Sequence, residues 1–172
     1  MLFRSLQSSD EMGDMTLQVV PRNNDDLSAL QQHYARKWIA QEIQGYETML
    51  LQDSTHAENH HTLAMLYLRT RQNAQAQHHF EQCILLQPDY AEARVNYAIA
   101  LSAARDVKGA VDQLYAAVRS RPDYADAHFN LAMALFQTGE KAQAKEHFSH
   151  AARLRPEMAE AINRQMQRLQ LR

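Results

Sequence analysis

Histidine is the residue of this 172-residue chain with the greatest capacity for chemistry, and there are nine of them. Imidazole binds zinc and exchanges protons near neutral pH, so their spacing decides what they could do. His56 and His60 stand four apart and His147 and His150 three apart, so on helices each couple would share a face. His60-His61 and His78-His79 are adjacent and would point apart. A firm zinc site takes three or four ligands, and no His-Glu-X-X-His motif is present. These side chains are therefore expected to be solvated on helix surfaces, with no metal and no other cofactor. The one cysteine, Cys83, leaves no partner for an internal disulfide and no cysteine-rich zinc site. No glycine-rich phosphate loop occurs, and no Ser, His and Asp are grouped as nucleophile, base and orienter beyond what composition supplies. The residues point away from an enzyme.

The elements that must position any site follow from a 34-residue echo. Pro88-Asp89-Tyr90-Ala91-Glu92-Ala93 returns as Pro122-Asp123-Tyr124-Ala125-Asp126-Ala127, and the likeness continues to Leu101 and Leu135. A fixed period of this size means stacked helical units. Units starting at Ala57, Ala91 and Ala125 share one pattern over 57–90, 91–124 and 125–158. Position seven is Leu63, Tyr97 and Leu131; position eight is Ala64, Ala98 and Ala132; position eleven is Tyr67, Leu101 and Leu135. Position twenty is Ala76, Ala110 and Ala144, position twenty-four is Phe80, Leu114 and Phe148, and position thirty-two is Pro88, Pro122 and Pro156. Small residues at eight and twenty let two antiparallel helices approach, and the large ones fill the space left. Proline ends the second helix because it cannot continue the hydrogen-bond ladder.

Residues 57–158 with these positions resemble the tetratricopeptide repeat, which implies an all-α fold: a short right-handed α-solenoid of three helix-turn-helix units. Two departures stand out against that family. The large aromatic of position four is replaced by His60, Arg94 and His128, and the glycine between the helices survives only as Gly139, with Arg71 and Arg105 in the other units. Upstream, Asp25 to about Asp53 reads as one long helix, so residues 23–56 are expected to pack their second half on the first repeat. Downstream, Ile162, Met166 and Leu169 form a stripe at helical spacing, which predicts a capping helix over 159–172.

Residues 1–22 read as an extended leader, because Met15-Thr16-Leu17-Gln18-Val19-Val20-Pro21 alternates and is β-branched. Just before it, Ser8-Ser9-Asp10-Glu11-Met12-Gly13-Asp14-Met15 resembles the last strand of the C-terminal domain of copper type II ascorbate-dependent monooxygenases. The resemblance spans residues 8–20. It implies a copper-ligand position at Met12 and a chain that is the docking or assembly tail of a larger copper protein. The His-X-His that the family pairs with this methionine is absent, and a lone thioether does not hold copper against water. A polar tail with a chance match is the other reading.

In the tetratricopeptide register, the first helix of each unit lines a concave face. The residues expected there are His61, Met65 and Leu68 in the first unit, Val95, Asn96 and Ile99 in the second, and Phe129, Asn130, Met133 and Phe136 in the third. That is an apolar groove fit for an amphipathic helix or an extended peptide, with methionines able to re-pack around different partners. Asn96 and Asn130 share position six, where an amide could pair with a peptide backbone; they resemble the asparagine ladder of the protein O-linked sugar transferases, broken here by Thr62. The chaperone-tail clamp of some repeat proteins needs lysines at position five, and those positions are His61, Val95 and Phe129.

The expected partner is a protein or peptide, including a second copy of the chain. A formal charge of −2 with both signs interspersed carries no basic field for nucleic acid. No apolar run reaches the roughly 18 residues of a membrane span. Met1-Leu2-Phe3-Arg4-Ser5 lacks the apolar stretch of a signal peptide. The compartment stays open: periplasmic or secreted if the copper-protein resemblance holds, cytoplasmic otherwise.

Overall fold

The structure is a computed structural model that describes residues 24–171. The leader and Met12 lie outside the described residues. The chain divides into two compact units at Lys37 and Trp38. In the first, the described backbone is helical from Asn24, and the side chains of residues 31–37 are exposed.

The second unit is an all-α solenoid. It holds the rest of helix α1 (Asn24–Gln52), then α2 (Ala57–Arg69), α3 (Asn73–Leu86), α4 (Ala91–Ala103), α5 (Val107–Ser120), α6 (Ala125–Thr138), α7 (Lys141–Leu154) and α8 (Ala159–Arg168), with a 3₁₀ turn at Pro156–Met158 before α8. Helices α2 and α3, α4 and α5, and α6 and α7 pack as hairpins, and α2, α4 and α6 also touch in succession.

The hairpins close because their contact residues are small. Ala64 and Ala76, Ala98 and Ala110, and Ala132 and Ala144 are all fully buried, beside Phe80, Leu114 and Phe148. Each first helix ends the same way. The N–H of Gln72, Asp106 and Glu140 donates to the carbonyl of Tyr67, Leu101 and Leu135, each at 2.9 Å. This closure requires a left-handed residue one position earlier. That residue is Arg71 (φ 61°), Arg105 (φ 68°) or Gly139 (φ 91°). Each second helix ends on a matching bond, from the N–H of Gln87, Arg121 and Arg155 to the carbonyl of Cys83, Ala117 and Ala151, and the next residue is the proline.

The last turns of α1 join this core. Ile39 and Ile43 are buried in one cluster with Leu63 and Phe80, and the Tyr67 hydroxyl donates to the Glu47 carboxylate. At the other end α8 buries Ile162, and Leu171 follows it into the core. The Leu171 N–H repeats the helix-end closure on the Met166 carbonyl at 2.9 Å, with Gln170 left-handed at φ 55°.

Candidate functional site

The residues expected on the concave face sit on α2, α4 and α6, and their exposure differs. His61, Met65, Leu68, Asn96, Phe129, Asn130, Met133 and Phe136 are half-buried. Ile99 is 48% exposed, whereas Val95 is 3% exposed and belongs to the core. Phe129 meets Phe148 edge to face, with centroids 5.5 Å apart, so it too is partly committed to its own hairpin. Gln165 of α8 reaches to 3.6 Å from the Met133 sulfur, and the Lys141 ammonium stands 5.9 Å above the Phe136 ring. The most exposed apolar side chain of this set is therefore Ile99, on the middle helix α4.

One polar contact starts from that helix. Asn96 Nδ2 donates to His61 Nε2 at 2.9 Å, which joins α4 to α2. Because the amide nitrogen can only donate, Nε2 carries the lone pair and Nδ1 the hydrogen, which faces the Tyr90 hydroxyl at 3.4 Å. Burial lowers the pKa of His61, opposed by the charge of Glu92, so the ring is neutral at pH 7. The other position-six residues turn back on their own helices: Asn130 Nδ2 donates to the Asp126 carbonyl at 2.8 Å, and Thr62 to the Glu58 carbonyl at 2.9 Å. Both asparagines thus spend an amide N–H on the protein.

Position four is where sequence reasoning missed a set of interacting side chains. His60 and His128 are only 6% and 5% exposed, not solvated. His60 Nδ1 lies 2.9 Å from His79 Nδ1, and its Nε2 lies 3.3 Å from the Ser54 carbonyl. His128 repeats this 68 residues later, with His147 Nδ1 at 3.0 Å and the Pro122 carbonyl at 3.0 Å. In the middle unit Arg94 makes the same two contacts, from Nε to the Pro88 carbonyl at 2.8 Å and from Nη1 to Gln113 Oε1 at 2.7 Å. Each position-four side chain therefore clasps the loop before its unit to position twenty-three of the second helix. The signal was present in the 34-residue register, because positions four and twenty-three read His/His, Arg/Gln and His/His.

The remaining chemical candidates are structural. Cys83 is fully buried beside Ala57 and Ala93, and burial pushes its thiol up to about 11. Arg155 holds both carboxylate oxygens of Asp126, at 2.7 and 3.0 Å, and so ties the end of α7 to the start of α6. Among the described residues no three His, Cys, Asp or Glu side chains are grouped to hold a metal ion, and no helix is long and apolar enough to cross a membrane.

Comparison with known proteins gives the geometry a family. No curated protein matches the chain in sequence. A crystal structure of MamA superposes with a TM-score of 0.70 at 22% identity, covering 82% of this chain and 84% of MamA. The structure of pilF from Pseudomonas aeruginosa gives 0.64 at 22% identity, over 73% of this chain and 58% of that one. The first repeat domain of Spaghetti, bound to an HSP90 peptide, gives 0.64 at 18% identity, over 69% and 93%. Family models described as tetratricopeptide repeat match residues 61–120 and 125–158, together more than half of the chain. The period, the hairpins and these matches agree, and the protein belongs to the tetratricopeptide-repeat family.

Proposed function

We propose that this protein is a non-catalytic interaction scaffold whose concave face, along α2, α4 and α6, seats a peptide or helix of a protein partner. The observation that carries this reading is Ile99, an aliphatic side chain left 48% exposed at the middle of the face, one helical turn from the Asn96 amide. Met65 and Leu68 supply an apolar floor that can re-pack, and Asn96 and Asn130 offer acceptors for a peptide backbone. Anchoring one apolar side chain beside backbone-reading amides is the usual economy of peptide recognition. Spaghetti and a repeat domain of yeast Sti1 have been solved with an HSP90 peptide and with Hsp70, respectively, and the fold they share with this chain supports a peptide-binding role. Position five carries His61, Val95 and Phe129 rather than lysines, so the ligand is read by apolar side chains and backbone, not by a terminal carboxylate.

Selection from a random peptide library, followed by calorimetry with the peptides recovered, tests the proposal. Ile99→Asp should weaken binding about tenfold or more while leaving the helical circular dichroism intact. Affinity unchanged by Ile99→Asp for every selected peptide would overturn the assignment of the face. Self-association that Ile99→Asp abolishes, seen by light scattering, would make the partner a second copy of the chain.

A further inference from the structure

We propose that the His60–His79 and His128–His147 pairs are proton-operated clasps, so that acid releases the first and third repeats while the second, clasped by Arg94 and Gln113, stays closed. Hydrogen positions in the clasps follow from their acceptors. The carbonyls of Ser54 and Pro122 can only accept, so the Nε2 atoms facing them, on His60 and His128, carry hydrogen. In the neutral state the Nδ1 of each of these rings is bare and accepts the Nδ1–H of His79 or His147. One added proton can be held: the His60 imidazolium then donates from both nitrogens, and His79 shifts its own hydrogen to Nε2. The same holds for His128 and His147. A second proton puts N–H on both facing nitrogens, 2.9 Å apart in one pair and 3.0 Å in the other, with no lone pair between them. The clasp then has to open, and the loop before the unit loses its tie to the second helix. Arg94 and Gln113 make the same clasp with groups that do not titrate near neutral pH.

The surroundings favour release. In the first repeat, His78 of α3 repels a charge on the pair, while Glu47 of α1 favours one on His79; the Tyr67 ring of α2 stacks on His79 at 5.6 Å. In the third, His150 of α7 stacks on His128 at 5.2 Å, Arg153 adds repulsion, Glu146 opposes it, and Tyr115 of α5 meets His147 edge to face. Burial is the largest influence on all four rings and holds each below the ordinary imidazole value of 6.5, His79 down to about 4. The unfolded chain therefore takes up protons first as pH falls. The stabilisation from the clasps is complete above 6.5 and is lost as pH drops below it; for His79 the loss ends near the folded value of about 4.

Transplanting the middle clasp tests this on the full chain: His60→Arg with His79→Gln, and His128→Arg with His147→Gln. Thermal unfolding is followed from about pH 7.5 to about pH 4 for both proteins. Carboxylate losses are common to both and cancel in the comparison. The wild type should lose about 5 °C or more of Tm beyond the loss of the variant over that range. Parallel curves would overturn the proposal. Should the variant fail to fold, NMR titration of the wild-type imidazoles decides: the four clasp histidines should titrate below the ordinary imidazole value of 6.5, and titration at that value would refute the clasps.

Discussion

Arg105 and Gly139 adopt the same left-handed backbone, at φ 68° and 91°, at equivalent points after α4 and α6. An L-residue with a Cβ carries a strain of about 1–2 kcal/mol there, and glycine carries almost none. A Cβ built on Gly139 meets no atom within 4 Å, so the difference is one of backbone conformation and not of space. Gly139→Ala should therefore destabilise the protein by about 1 kcal/mol, and Arg105→Gly or Arg71→Gly should stabilise it by about 0.5–1 kcal/mol after the extra chain entropy of glycine is subtracted. Urea unfolding at constant m-value checks the sign of all three.

The fully buried Ala110 and Ala144 set how closely α5 approaches α4 and α7 approaches α6. Replacing either with Leu puts three extra carbons where helices already touch. Each substitution should cost about 1–3 kcal/mol by overpacking, read from the denaturant midpoint. Neutral results at both positions would mean that the hairpins close elsewhere.

Cys83 fills position twenty-seven, held by Ala117 and Ala151 in the other hairpins. With its thiol buried and pushed up to about 11, it should resist alkylation in the native state and react only once the chain unfolds. Cys83→Ala should cost under about 1.5 kcal/mol, because the site already accommodates alanine twice. Rapid native-state labelling would contradict the packing of α3 against α4.

The apolar half of the structure was legible in the 34-residue register because burial depends on residue size, which the sequence states directly. Leu63, Ala64, Tyr67, Ala76 and Phe80 are buried where the pattern put them, and so are their counterparts. The polar half was not legible in the same way. His60 looked like a surface histidine until the Ser54 carbonyl and His79 came within reach of its two nitrogens, and that depends on a loop six residues back and a helix nineteen residues on. Val95 shares its position with His61 and Phe129, yet a short β-branched side chain reaches only the core, whereas the longer ones extend towards the face. The positive φ of Arg71 and Arg105 was hidden for the opposite reason: the backbone bonds of the turn outweigh the preference of the residue that occupies it.

From α2 to α8 every helix packs only on helices one or two places away in the chain. Among the described residues no distant segments have to meet before the core begins to form, so their contact order is low and the solenoid should fold fast. Any one hairpin can serve as a nucleus. Growth from whichever hairpin forms first needs only one neighbour at a time.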